Sequence, residues 1–332
     1  MPDIFYEDLE PGTVTEYGRY AVERDEMVGF ARDFDPQPFH IDEAAAATTP
    51  VGHLIASGWY STGIFMRLMC EGWLNRAASL GGPGIESLRW VKPVVAGDTL
   101  TLRQTVLDKR VSAKRPGMGI VRFEAELLGG PDDVRMTIRH LGMVGLRGAS
   151  PGAPALPPDS LGSGAVPDPV YPEEDVAAAP RVYEEVEPGR GYDLGTYTFT
   201  AERIRAFAGR YDTQRFHLDD EAAARGPFGA LAASGWHTAA AWMSRFVARQ
   251  KRVAAAGGPT QTGVSPGFSD LRWLRPVYVG DVVRYGSEPV AKRPLASKPG
   301  WGLVTSRNTG WNARGEKVFE FDGNGFWRMR GA

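Results

Sequence analysis

The sequence predicts an α+β chain built from two like units. Each unit is an antiparallel sheet wrapped around one buried helix, and the two are joined as an intrachain pseudo-dimer. Three observations lead there: a duplicated run, a constant offset between the halves, and a change of hydrophobic period after one long apolar segment. The run reads FARDFDPQPFHID over residues 30–42 and FAGRYDTQRFHLD over residues 207–219. Each copy keeps an Asp, a Gln two residues on, a Phe-His pair and a second Asp. The offset is 177 residues (212 − 35), and it also relates Tyr6 to Tyr183, Gly18 to Gly195, and Ala56-Ser57-Gly58-Trp59 to Ala233-Ser234-Gly235-Trp236. Beyond that point it becomes 183, relating Leu88-Arg89-Trp90 to Leu271-Arg272-Trp273 and Gly97-Asp98 to Gly280-Asp281. A long constant offset with one small insertion signals duplication of a whole domain, not a solenoid period. The six extra residues of the second copy are expected in the Gly-rich stretch near Gly257–Gly267.

The elements follow in order. Gly18–Glu23 reads as a short strand. Glu26–Phe34 reads as a helix with Met27, Phe30 and Ala31 on one face. The DFDPQPFH run holds two prolines and is expected as a rigid loop. Asp42 and Asp219 each precede an acidic, Ala-rich stretch and fit helix N-caps. Ser57–Leu74 is apolar on most sides, so it is expected as a buried helix, with its counterpart from Ser234 to about Val247. The period then changes. Ser87–Val95, Thr99–Leu107, Ile120–Leu128 and Val134–Val144 are strand-like segments. One strand, a helical insert, a buried helix and four strands suit the hotdog architecture, here doubled. Joining two copies pairs edges that a single sheet would leave open.

Length supports two domains. Residues 148–180 are rich in Pro, Gly, Ala and Ser, and read as a semi-extended linker. The halves are placed at 1–147 and 181–332. With 38 basic and 40 acidic residues and no block of like charge, the chain carries no footprint for nucleic acid. The single cysteine, Cys70, excludes an intramolecular disulfide and reads as a core thiol. No apolar run reaches the length of a membrane span, and the start MPDIFYEDLE lacks a basic region followed by an apolar one. A cytoplasmic protein with no membrane association is expected.

The pattern Asp-x-Gln-x-Phe-His-x-Asp, followed by the Ala-Ser-Gly-Trp helix start, resembles the MaoC-like dehydratases and (R)-specific enoyl-CoA hydratases. Their usual pattern is Asp-x-Asn-Pro-x-His-x-Asp in the loop before the hotdog helix. The resemblance covers both halves and excludes the linker. Gln37 and Gln214 stand where the family pattern has Asn. Thr213 and Arg215 replace Pro36 and Pro38 in the second copy, which is therefore expected to hold its loop less firmly. Tandem members of the family commonly keep one working pair; both copies here keep Asp and His.

The resemblance implies hydration of an enoyl thioester, or the reverse dehydration of a 3-hydroxyacyl thioester. That chemistry needs a water aimed at C3, a proton for C2 and a stabilised thioester oxygen. Asp35 with His40, and Asp212 with His217, are the candidate acid–base pairs. Gly58 and Gly235 are candidate oxyanion donors, because the first amides of a helix lack internal partners and lie at its positive end. The competing reading of these glycines is tight helix-to-sheet packing. Gln37, Ser57, Trp59, Gln214, Ser234 and Trp236 are candidate substrate contacts. Arg115 and Lys298, each before Pro-Gly, are candidates for the phosphates of coenzyme A. His53, His140 and His237 have no matching partner in the other copy and read as ordinary surface or core histidines.

No metal is expected, since no third nitrogen or sulfur ligand is near. No cofactor is expected beyond coenzyme A as part of the substrate. An acyl-CoA or acyl-carrier-protein thioester is the expected partner, and a homo-oligomer of the double unit is compatible with the sequence. Two alternatives stand beside the hydratase. One is a hotdog thioesterase, disfavoured because Glu71, the one acid of the first helix, has Ala248 as its counterpart. The other is a non-catalytic acyl-thioester-binding protein, which would tolerate loss of an Asp or a His.

Overall fold

The computed structural model describes residues 2–49, 51–149 and 164–331. The N-terminal unit holds strands β1 (Val14–Ala21), β2 (Gly84–Trp90), β3 (Thr99–Val111), β4 (Met118–Leu128) and β5 (Val134–Gly145). Its helices are α1 (Arg24–Phe34), α2 (Pro38–Ile41), α3 (Glu43–Ala47) and α4 (Gly58–Gly72). The C-terminal unit repeats this with β6 (Tyr192–Thr198), α5 (Ala201–Tyr211), α6 (Asp220–Arg225), α7 (Gly235–Gly257), β7 (Gly267–Trp273), β8 (Val282–Pro294), β9 (Trp301–Trp311) and β10 (Lys317–Arg328). Eleven of the fifteen residues of α4 are buried, as expected of a helix apolar on most sides.

All ten strands form one antiparallel sheet in the order β1-β3-β4-β5-β2-β7-β10-β9-β8-β6. This is the double hotdog, and the seam is the β2–β7 pair. Its register runs from Gly84 opposite Arg272 to Arg89 opposite Gly267, so one glycine closes each end. A Cβ on Gly84 would lie 2.3 Å from the Leu271 carbonyl oxygen, and one on Gly267 would lie 2.0 Å from that of Leu88. The seam therefore admits only glycine at these two positions. Behind it one apolar core runs through both units, drawing Phe30, Ile64 and Phe65 from the first and Tyr211, Ala240 and Phe319 from the second. Phe30 meets Tyr211 edge-on at 5.4 Å between ring centroids.

Two expectations are corrected. The DFDPQPFH run is not all loop: α2 is one helical turn begun by Pro38, and its counterpart is a 3-10 turn over Arg215–His217. The six extra residues are not in the Gly-rich stretch. Helix α7 has 23 residues against 15 in α4, so the insertion extends the helix. Arg249, the counterpart of Gly72 (249 − 177 = 72) and the last residue before that extension, is buried beneath the segment 164–180. Its Nε donates to Glu174 at 2.7 Å, and its guanidinium lies 3.6 Å from the Tyr192 ring centroid. The segment is also held where Arg284 donates to the Pro167 carbonyl at 3.0 Å. Its anchors are polar and aromatic, which is how a stretch poor in large apolar residues is fixed. The rest of the predicted linker, 150–163, lies outside the described residues.

His140 and His237 are core histidines, and burial pushes both imidazoles down to about 3. Their folded pKa lies below the unfolded value of about 6.5. Between those values the unfolded chain binds the extra proton. Their stabilising contribution is therefore present above pH 6.5 and declines as pH falls below it, by about 1.4 kcal/mol per pH unit for each imidazole. We expect the denaturant midpoint to drop between pH 7.5 and 5.5, and to drop less in His140→Phe. Equal declines in the two proteins would reject this account for His140.

Candidate active site

The first carboxylate is placed by the end of α1. A residue before proline is driven out of the helical region, and Asp35 before Pro36 adopts φ −144°, ψ 59°. Pro38 then starts α2, where its missing N–H is harmless, and this turn aims His40 back at the carboxylate. Asp35 Oδ2 and His40 Nε2 are 3.4 Å apart, with Asp35 2 % and His40 5 % exposed. His40 Nδ1 lies 2.8 Å from the Ile55 carbonyl. A carbonyl only accepts, so Nδ1 carries a proton and Nε2 is the nitrogen turned to the carboxylate. Ser57 Oγ donates to Asp35 Oδ2 at 2.6 Å, and Gln37 Nε2 donates to Oδ1 at 2.9 Å. Ser57 Oγ also accepts from the Trp59 N–H at 3.2 Å, capping α4.

The second pair repeats this geometry closely. Asp212 Oδ2 and His217 Nε2 are 3.5 Å apart. Ser234 donates at 2.6 Å and Gln214 at 3.0 Å, and His217 Nδ1 lies 2.7 Å from the Ala232 carbonyl. The prolines missing here are not needed. Asp212 holds φ −137°, ψ 76° without a following proline. The N-terminal unit steadies the loop instead: Asn75 donates to Thr213 Oγ1 at 3.0 Å and Ser79 to Gln214 Oε1 at 2.7 Å. Cys70 reaches across as well, its thiol 3.6 Å from Asp212 Oδ1. Burial, with the nearby Asp212 carboxylate, pushes that thiol's pKa well up, so it is a donor.

The amide of Gly58 begins α4 and has no hydrogen-bond partner among the described residues; the same holds for Gly235 on α7. Both glycines also face a tryptophan. Trp90 Nε1 donates to the Gly58 carbonyl at 3.0 Å, and Trp273 Nε1 to that of Gly235 at 2.9 Å. A Cβ would lie 2.4 Å from the Trp90 ring at Gly58 and 2.3 Å from the Trp273 ring at Gly235. Glycine permits this packing, and the first position of the helix leaves the amide unpaired.

Each pair opens into a cavity walled largely by the opposite unit. The Asp35 cavity, of about 300 Å³, is lined by Trp242, Phe268, Asn308 and Phe321 from the C-terminal unit. The Asp212 cavity, of about 790 Å³, is lined by Phe65, Met69, Ile85 and His140 from the N-terminal unit.

The comparisons with known proteins bear on this arrangement. The model of the MaoC like domain matches twice, over residues 8–125 and 184–309. The chain belongs to the MaoC-like domain family. It is 32% identical over 110 residues to a 3-hydroxybutyryl-CoA dehydratase of Methylorubrum extorquens, across 32% of this chain and 65% of that protein. A MaoC domain protein of Chloroflexus aurantiacus has the same fold at a TM-score of 0.78 and 17% identity, over 99% of both chains. A double-hotdog protein of Mycobacterium tuberculosis matches at a TM-score of 0.70 and 14% identity, over 97% of both.

In this MaoC-like chain the predicted residues are distributed as follows. Asp35, His40, Gln37, Ser57 and Gly58 come together, as do Asp212, His217, Gln214, Ser234 and Gly235. Ser57, Ser234, Gln37 and Gln214, the candidate substrate contacts, donate to the carboxylates, and Gln37, Gln214 and Ser234 also line the cavities. Trp59 and Trp236 line their cavities. Arg115 is exposed beside the cavity of the second pair and has no ion pair among the described residues. Lys298 does not line the first cavity; it lies over the rings of Trp301 and Phe326, at 4.4 and 5.4 Å. Asp42 and Asp219 cap their helices through the amides of Ala45 and Ala222, at 2.8 and 2.7 Å. Glu71 is an exposed partner of Arg67, not a group in either site. Among the described residues no helix is long and apolar enough to cross a membrane. Trp90 and Trp273 were missed as site residues, although their place in a repeated Leu-Arg-Trp was visible.

Proposed function

We propose that the chain is a hydro-lyase that adds water to, or removes it from, the C2=C3 bond of an enoyl thioester. The observation that carries this reading is the carboxylate–imidazole pair, 3.4 Å apart in one unit and 3.5 Å in the other, beside an unpaired helix-end amide. In the tautomer with its proton on Nδ1, the imidazole presents Nε2 as an acceptor beside the carboxylate. One water can donate to each and turn its oxygen to C3. As that oxygen bonds to C3, one member of the pair takes the proton and hands it to C2, so the elements of a single water are added. Both new bonds form from one side, which predicts syn addition. The thioester oxygen, gaining enolate charge, would meet the Gly58 or Gly235 amide at the positive end of α4 or α7. Coenzyme A or the acyl carrier protein's pantetheine arm would leave through the open side, and at the second site the exposed Arg115 would be the candidate to meet its phosphate.

Mixing the full chain with crotonyl-CoA tests the reading. The expected result is loss of the enoyl absorbance without release of free thiol. Thiol release would identify a thioesterase instead. No change in either signal, with the thioester bound, would leave a binding protein.

A further inference from the structure

The two cavities differ in size, and three ring positions narrow the first. The repeat offset pairs Phe268 with Ile85 (268 − 85 = 183), Phe321 with Ile138 (321 − 138 = 183) and Trp242 with Phe65 (242 − 65 = 177). At these three positions the larger ring faces the first pair; at two others, Phe123 and His140 face the second pair where Ser306 and Gly323 line the first cavity. Trp59 stacks on Phe268 at 5.2 Å and 12° between planes, and meets Phe321 at 5.8 Å and Trp242 at 6.3 Å. Trp242 and Phe321 close the cluster edge-on at 4.8 Å. The equivalent Trp236 has Phe65 at 6.3 Å and Trp273 at 5.3 Å, with aliphatic Ile85 where Phe268 would be. The cavities, about 300 and about 790 Å³, lie at the lower end and in the upper half of the usual range for small-molecule sites.

We propose that the two pairs serve acyl groups of different size. The Asp212/His217 site takes medium to long acyl chains, whose tail lies in the N-terminal unit among Phe65, Met69 and Ile85. The Asp35/His40 site is confined to short acyl groups by Phe268, Phe321 and Trp242, which the C-terminal unit supplies. These three are specificity-determining residues, and they act on a pair in the other half of the chain. Rings packed against one another in a close-packed interior yield little, because displacing one displaces its neighbours. The proposal rests on the thioester reading above.

The test isolates each site in the full chain with Asp212→Asn or Asp35→Asn. It then compares kcat/KM for crotonyl-CoA and trans-2-decenoyl-CoA. A single methylene in an apolar pocket is worth about 10–200-fold in discrimination. The preference for the longer substrate should therefore be about 10-fold or more greater in Asp35→Asn than in Asp212→Asn. Adding Ile85→Phe to Asp35→Asn should lower that preference, and adding Phe268→Ile to Asp212→Asn should raise it. Equal preferences in the two single-pair chains would overturn the proposal, and so would a first site silent with both thioesters. Neither outcome depends on a core variant that might misfold. Calorimetry on the unaltered chain separates failure of the chemistry from failure of this proposal. Saturated butanoyl-CoA should bind at two sites and decanoyl-CoA at one, whatever the turnover. Two decanoyl-CoA per chain would overturn the unequal pockets even in an active hydratase.

Discussion

The chain carrying both Asp35→Asn and Asp212→Asn should hydrate crotonyl-CoA about 10²–10⁴-fold more slowly than the unaltered protein, the usual loss when an acid–base group is removed. Asn is the informative replacement. It keeps the shape and still accepts from Ser57 or Ser234, so the buried hydroxyls, 2.6 Å from the carboxylates, keep a partner. Each single variant should retain roughly half the rate with this short substrate, because the other pair has the same local geometry. Initial rates on matched, folded samples decide it. If one single variant loses nearly all activity and the other almost none, only one pair is catalytic and its twin is a structural half of the pocket. The sequence favoured the first pair for its prolines. The structure removes that preference, since Asn75 and Ser79 do for the second loop what Pro36 and Pro38 do for the first.

The second large effect is expected at Gly58, read in an Asp212→Asn background so that only the first site works. Gly58→Ala and Gly58→Pro both place a Cβ about where it would lie 2.4 Å from the Trp90 ring, so both disturb the packing. Only proline also removes the amide. Proline is tolerated in the first helical position, and Ser57 already holds the φ −58°, ψ 140° that a residue before proline prefers. If the amide meets the developing oxyanion, the proline variant should lose a further factor of about 10²–10³ in kcat relative to the alanine variant. Equal rates in the two would assign Gly58 to packing alone.

The fold was legible because the chain could be compared with itself. The 177 and 183 offsets separate what both units need from what either tolerates. They marked α4, the strands after it and the Asp–His spacing without any knowledge of contacts. The end of α7 was not legible. After Val247 the sequence turns to ARQKR, which reads as the end of a buried helix. There Arg249 is buried against Glu174, 75 residues away, and Val253 on the following turn is buried too. At the site, the pair was legible and its support was not. Nothing in sequence spacing shows that the Ser57 hydroxyl, 22 residues on, folds back onto Asp35. The rings that narrow the first cavity were invisible for a related reason. Phe268 and Phe321 reach Trp59 only because β2 and β7 pair, a long-range fact with no local signal.

That seam also changes how the protein can vary. In a dimer of two identical chains every substitution appears twice, so a ring that shortens one pocket shortens both. Here Ile85 and Phe268 are separately encoded, and each faces the pair on the far side of the β2–β7 join. A mutation can reshape one binding chamber and leave the other as it was. The covalent tether keeps the halves at a high effective concentration whatever the dilution, so divergence does not put assembly at risk. A single gene can thus hold two separately adjustable chambers that are always present in equal number.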